Sequence, residues 1–404
     1  MKAISVLLAG LCLSASAFGQ SLTLSQLYAF SCSSSSPFFC ANGAEPVALI
    51  QASDGNFYGV TQTSYASHSN TVHLAGGTIF KITASGQFTL LYTFKQDTKT
   101  GFYDQGSIPN SLAEGSDGNL YGTAGGGPNS ASAGVLFKIS KSGTGFQVIE
   151  NYCTTCTTGA FPDSIIAASD GNLYGTTSAG GNSPCQGLGC GVVFRLTTSG
   201  AYKVLYSFTG GSDTQSPFGV IYGSDGNLYG TTSGTITGTI FSVNPSSGAF
   251  TTLYTFPSGT HSVNVATEGS GNLLYGTSRS GTSGNLTVYS STLSGSEQNL
   301  VTINFGSFKR IGVGPFLLAS DGNEWTTSTV NSTSPYYGSV FAVSPSGAVV
   351  QDILLDGTKG SLPVAGVIQT SGGTLYLPMA DRGTTSQGQV GYGTIASITG
   401  LPAM

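Results

Sequence analysis

Five aspartates, Asp54, Asp117, Asp170, Asp225 and Asp321, recur in one short context and are the first candidates for chemistry. Carboxylates gathered in one place could hold a cation. Each, however, lies in the run Ser-Asp-Gly-Asn. Asp-Gly favours a tight hairpin turn, because Gly takes positive φ and Asp accepts from nearby amides. The context therefore assigns these aspartates to turns that need no ion. His68 and His73 stand five residues apart beside Tyr65. Two histidines without a third ligand do not make a zinc site, and they read as loop residues. Tyr103 and Asp104 follow Phe102, and Tyr336 and Tyr337 follow Pro335, with Trp325 nearby. Exposed aromatics stack on sugar rings or anchor protein contacts; buried ones pack against a neighbouring element. Tyr65, His68, His73, Tyr103, Asp104, Tyr336 and Tyr337 are thus the candidate ligand-binding residues. The remaining acids, among them Glu45, Asp97, Glu114, Asp163 and Asp213, show no paired spacing for acid–base catalysis. There is no nucleophile elbow, phosphate loop or zinc motif. The reading assigns no catalytic residue, metal or cofactor.

Cysteine usage bears on compartment. Lys2, the apolar run Ile4 to Leu13 and the small residues Ala15-Ser16-Ala17 and Ala17-Phe18-Gly19 read as a secretory signal over residues 1–19. Leu11 before Cys12 makes a poor lipidation site. Six cysteines remain in the mature chain, in three close pairs: Cys32 and Cys40, Cys153 and Cys156, Cys185 and Cys190. Three local disulfides are the simplest of the connectivities open to six cysteines. The spacing Cys153-Thr154-Thr155-Cys156 is also that of redox motifs, but a reactive thiol there needs a helix N-terminus, and nothing nearby reads as helical. No later apolar run reaches the ~18 residues of a membrane helix. The expectation is a secreted or periplasmic protein, without a transmembrane segment.

The elements that position these residues follow from repetition. The 404 residues include 60 glycines, and only 8% are charged, against roughly 25% in ordinary soluble chains. Regularly placed Leu, Ile, Val, Tyr and Phe argue against disorder. The turn recurs around positions 54, 117, 170, 225, 270, 321 and 372. In the second repeat Asn110 to Gly115 reads as a first strand and Leu120 to Thr123 as a second. Val135 to Ile139 reads as a third strand and Phe146 to Ile149 as a fourth. Four strands in repeats of about 50 residues is the β-propeller pattern. The mature chain opens on a fourth-strand sequence, Leu24-Ser25-Gln26-Leu27-Tyr28-Ala29-Phe30, and ends on a third-strand one, Gly393 to Ile398. One repeat is therefore split, and its two parts would close the ring. A β-helix would instead carry caps, and none is visible. The predicted fold is all-β: a seven-bladed propeller of four-stranded antiparallel blades, one domain over residues 20–404.

The runs Leu-Tyr-x-Phe, Ser-Asp-Gly-Asn-Leu-Tyr-Gly-Thr-Thr and Gly-x-Val-Phe-x-Ile-x-x-Ser-Gly resemble the GloVer tandem repeat of exported bacterial proteins. The resemblance covers the mature chain. It is closest in repeats one to four and departs where Ser270 and Gly372 replace the turn Asp and Trp325 replaces Tyr. It implies no activity and carries over no catalytic residue. Members often bear a C-terminal sorting anchor; this chain ends at Ala403-Met404 without one, so release or periplasmic residence is expected. With a net charge of -5 and 13 scattered basic residues, nucleic acid is not an expected partner. The variable segments, between second and third strands and between blades, fall on one face of the ring. Binding residues concentrate on such loops. The first reading is an exported, monomeric, non-catalytic binding module for a protein or glycan, acting through that loop-rich face. The alternative is an exported propeller enzyme acting on a polysaccharide, as hydrolase or lyase.

Overall fold

The computed structural model describes residues 21–32, 40–63, 76–96, 103, 105–127, 132–234, 237–269, 271–280, 285–304, 313–329, 337–383 and 391–404. The signal segment expected over residues 1–19 lies outside them. Each repeat forms one four-stranded antiparallel sheet, and seven such sheets make the propeller. The chain opens on β1 (Thr23–Ala29). Blade 1 is β2 to β5 (Ala44–Gln51, Phe57–Thr63, Thr78–Ile82, Phe88–Thr93). Blade 2 is β6 to β9 (Ser107–Glu114, Leu120–Gly126, Ser132–Ile139, Gln147–Cys153). Blade 3 is β10 to β13 (Ala160–Ala167, Leu173–Ala179, Val192–Leu196, Tyr202–Ser207). Blade 4 is β14 to β17 (Pro217–Tyr222, Leu228–Thr232, Thr239–Val243, Phe250–Thr255). Blade 5 is β18 to β21 (Thr260–Gly269, Leu273–Ser280, Asn285–Thr292, Glu297–Asn304). Blade 6 is β22 to β25 (Leu317–Leu318, Glu324–Ser328, Ser339–Val343, Val349–Leu354). Blade 7 combines β26 to β28 (Ile368–Gln369, Leu375–Met379, Thr394–Thr399) with β1, in the order β1-β28-β27-β26. The split repeat closes as expected, from Thr23 opposite Thr399 to Ala29 opposite Thr394.

The repeated residues join the blades. In Leu-Tyr-x-Phe the Tyr stacks on an aromatic of the next blade: Tyr28 on Phe88 and Tyr92 on Phe146, at 4.7 and 4.1 Å. Tyr206 stacks on Phe250 at 4.0 Å. The Phe of the motif meets the next blade's third strand edge-on: Phe30 on Phe80, Phe94 on Phe137, Phe208 on Phe241. Such pairs add about 0.5–1.5 kcal/mol each to area burial. The Leu that opens the second strand enters the core of the blade before it. Leu120 shares a cluster with Tyr58, Ile79 and Phe94, and Leu173 shares one with Tyr121 and Leu136. The glycine after Tyr lies under the third-strand Phe; a Cβ at Gly230 would stand 2.5 Å from the Phe241 ring.

Two features differ from the sequence expectation. First strands begin earlier: β6 starts at Ser107 rather than Asn110, because pairing resumes beyond a bulge at Asn110. In blade 5, Glu268 lies opposite Leu274, as Glu114 lies opposite Leu120. The aspartate position is therefore Gly271, one residue beyond Ser270.

That early start belongs to a second recurring device. Gly43-Ala44-Glu45-Pro46, Gly106-Ser107-Ile108-Pro109, Gly159-Ala160-Phe161-Pro162 and Gly360-Ser361-Leu362-Pro363 each lead into a first strand. Thr214-Gln215-Ser216-Pro217 takes the same place in blade 4. The residue before each proline is left-handed, with φ between 53° and 57°. The proline ring then packs on the glycine that precedes the third strand of the blade before. A Cβ at Gly134 or Gly191 would lie 2.5 Å from Cδ of Pro162 or Pro217, and at Gly77 2.7 Å from that of Pro109. Gly338 with Pro363 and Gly393 with Pro46 repeat the contact. Backbone bonds run beside it: the N–H groups of Glu45, Ile108, Ser216 and Leu362 donate to the carbonyls of Tyr392, Gly76, Cys190 and Tyr337. At Gly191, φ is +96°, so a side chain there is strained as well as obstructed. Gly191→Ala is expected to lower stability by about 1–3 kcal/mol, read as a shifted denaturant midpoint. Gly187→Ala, whose Cβ would meet nothing within 4 Å, serves as the control for positive φ alone.

Candidate functional site

The two faces of the ring are built differently. The face of the short hairpins carries the turn aspartates. Asp117 accepts from the Asn119 amide at 3.2 Å, the Asn119 side chain at 2.8 Å and the Tyr121 hydroxyl at 2.9 Å. Asp54, Asp170 and Asp225 repeat all three bonds. In blade 6 the Trp325 indole donates to Asp321 instead of a Tyr hydroxyl. Lys138 adds an ion pair to Asp117 at 2.7 Å. The serine before the aspartate ties turns together: Ser53 and Ser224 each donate through N–H and hydroxyl to Glu114 and Glu268 of the next blade. These carboxylates are spent on turns and joints. Among the described residues no group of three or more His, Cys, Asp or Glu could hold a metal ion.

The opposite face carries the loops and the disulfides Cys32–Cys40, Cys153–Cys156 and Cys185–Cys190. Its connections are tied to one another. The Gly181 amide donates to the Cys156 carbonyl. Asp213 is buried and accepts from the Tyr206 hydroxyl, the Thr209 amide and hydroxyl and the Gly211 amide. On this platform stand exposed apolar side chains: Ile108 (50% exposed), Phe161 (39%), Phe218 (53%) and Val364 (41%). Ile108, Phe161 and Phe218 lie at the loop-side start of a first strand, and Val364 lies in the segment that leads into β26. First strands of successive blades touch, which puts them innermost. The apolar residues therefore rim the axial mouth. Beside Phe161, Asp163 occupies the bulge that Asn110 takes in blade 2. The Asn110 amide donates to the Pro162 carbonyl at 2.8 Å. In Asp163, Oδ2 is buried without a partner, and burial raises the carboxyl to about 7 against a bond from Ser178. Glu45 is also raised, by burial and by the charge of Asp381.

Of the sequence candidates, Tyr65, His68, His73, Asp104 and Tyr336 lie outside the described residues. Tyr103 is half-buried at the joint of blades 1 and 2, where a Cβ at Gly76 would lie 2.8 Å from its ring. Tyr337 packs against the core of blades 6 and 7, with the Arg382 guanidinium 4.7 Å above its ring. The two stand at different joints. The rim residues Ile108, Phe161 and Phe218 were not singled out from sequence, although the recurrence of Gly-x-x-Pro was a signal for the first two.

With this geometry, comparison with known proteins is informative about fold. The Gloeobacter/Verrucomicrobia repeat matches residues 74–268, and the chain carries that repeat from the end of blade 1 into blade 5. No curated protein matches the sequence. Among solved structures, the extracellular domains of two hybrid two-component systems from B. thetaiotaomicron superpose with TM-scores of 0.55 and 0.52 at 11% and 15% identity. They cover 89% and 90% of this chain, which spans 40% and 42% of theirs. A prolyl endopeptidase superposes with a TM-score of 0.54 at 13% identity, over 90% of this chain and 51% of its own. At these identities the similarity is one of fold.

The turn network predicts an acid limb of stability. Burial alone would raise Asp54 and Asp117, but their hydrogen bonds, with Lys138 at Asp117, outweigh it and hold both at about 2, below the ordinary 3.8. Their contribution is present above the ordinary value and is lost as pH falls toward 2. The melting temperature is expected to fall across that window, and Asp117→Asn to flatten the fall. An equally steep limb in the variant would contradict this reading.

Proposed function

We propose that the chain is an exported, non-catalytic binding module that engages a protein or glycan through the loop-rich face. One observation carries the reading. The recurring residues are spent inside turns and between blades, whereas Ile108, Phe161, Phe218 and Val364 stand exposed around one axial mouth. Ile108, Phe161 and Leu362 differ in size while sharing the left-handed place before proline. A rigid frame that presents variable side chains suits recognition. Exposed aromatics ordered by a stiff backbone lose little entropy on binding. Export is supported by three disulfides, which persist in oxidising compartments, and by the leader-like residues 1–19. Among the described residues no helix is long and apolar enough to cross a membrane.

An enzyme acting on a polysaccharide is the second reading, and Asp163 favours it. A carboxyl raised to about 7 at the mouth is suited to donate a proton. One experiment separates the two. Residues 20–404 are sedimented with insoluble polysaccharides and cell-envelope fractions, and the supernatant is assayed for sugars. The expected result is retention without sugar release. Phe161→Ser with Phe218→Ser should reduce retention at least tenfold, while Lys203→Ser, at the outer fourth strand of blade 3, leaves it unchanged. Sugar release abolished by Asp163→Asn would establish the enzyme instead.

A further inference from the structure

A residue at the start of each second strand, the first in six blades and the second in blade 5, packs into the blade before it. Phe57, Leu120, Leu173, Leu228, Leu274 and Leu375 hold that place in six blades, all fully buried. In blade 6 the residue is Glu324. It is 1% exposed, and neither carboxyl oxygen has a hydrogen-bond partner. The side chain reaches across to blade 5, where Oε1 occupies the space that a Cβ on Gly269 would need. Among the described residues, the groups around it offer no compensating charge. Glu324 is paired to Leu318 on β22 and to Val343 on β24. On β18, Glu268 is turned to Ser224 of blade 4. The Tyr275 ring on β19 lines the same Gly269 space. Asp321, on the hairpin of Glu324 itself, accepts from Trp325 and the Asn323 amide.

In blade 6, Val313 stands opposite Ser328, the place that Pro46 takes opposite Thr61 in blade 1. Among the described residues the glycine–proline contact occurs at five joints and not at the two that flank blade 5. No proline lies within β18 (Thr260–Gly269). A buried carboxyl without a hydrogen-bond partner thus sits in a joint where no glycine–proline contact is seen among the described residues.

We propose that Glu324 is a pH-sensitive wedge between blades 5 and 6: neutral, it fills the place of a leucine, and ionised, it drives this joint open while the others stay closed. An isolated carboxylate cannot remain in an apolar joint without water or a cation, so the joint must admit solvent when the proton leaves. Burial is the sole cause that raises this carboxyl, from 4.5 to about 7. A carboxyl raised in the folded state stabilises less as pH climbs from the unfolded value to the folded one. The loss therefore falls between about 4.5 and about 7. Asp163 titrates in the same window at blade 3, so the comparison of wild type with Glu324→Gln isolates the wedge.

The test uses the mature chain at about pH 5.5 and about pH 8. The melting temperature of the wild type is expected to fall over this interval by more than that of Glu324→Gln. Glu324→Leu should melt above the wild type at the higher pH. Hydrogen exchange of the wild type, corrected for intrinsic rates, should lose at least tenfold protection in β18 to β25 at the higher pH and change little in β6 to β9. Parallel pH curves for wild type and Glu324→Gln would overturn the proposal. So would a protection loss spread evenly over all blades, a measurement that needs no variant to fold.

Discussion

The ring depends on one contact, repeated: a proline at the start of a first strand laid on a backbone glycine of the blade before. The contact fixes three things at once. The proline sets its own φ and removes a donor where none is needed. The glycine brings the two backbones within van der Waals reach, so that the residue before the proline donates to the neighbouring blade. The left-handed turn this requires is disfavoured for a residue before proline, and more so for β-branched Ile108. Five such sites persist because the surrounding joints hold them.

Strain of this kind has a use. Of the side chains before the prolines, Ile108 and Phe161 stand exposed while Glu45, Ser216 and Leu362 are half-buried, so the place accepts residues of different size and polarity. Meanwhile the hairpin face is saturated with local bonds, since each turn aspartate serves the Asn and Tyr of its own repeat. The division of labour between faces thus comes from chemistry. One edge of every blade is consumed by turn closure. The other is held by backbone contacts that leave side chains available.

Blade 5 departs from the repeat at its turn. Its aspartate position is Gly271, and Asn272 next to it is also left-handed, so the turn closes through backbone conformation rather than a carboxylate. Glu324 in the adjoining blade departs from the pattern at the same joint. Departures from a repeat are informative where several coincide in space, because each removes a constraint that its neighbours would otherwise share.

Blade number, the order of strands and the closure by β1 were legible in the sequence, because a 50-residue period with Asp-Gly turns and a split last repeat admits one circular arrangement. The three disulfides were legible too, since three close pairs of cysteines make local pairing the simplest connectivity. The Tyr and Phe of Leu-Tyr-x-Phe announced strands, but not that one stacks and the other stands edge-on to the next blade; this needs the angle between sheets. The rim was missed for a related reason. Ile108 and Phe161 read as ordinary strand residues, and only a left-handed backbone, imposed by contact with another blade, turns them to the surface. Glu324 was not singled out from sequence, and only the packing of blade on blade shows that it is buried. The sequence determined what is local and periodic, because turn preference and side-chain alternation act over a few residues. The tertiary structure decided which side chains face water, because that depends on surfaces some fifty residues away along the chain.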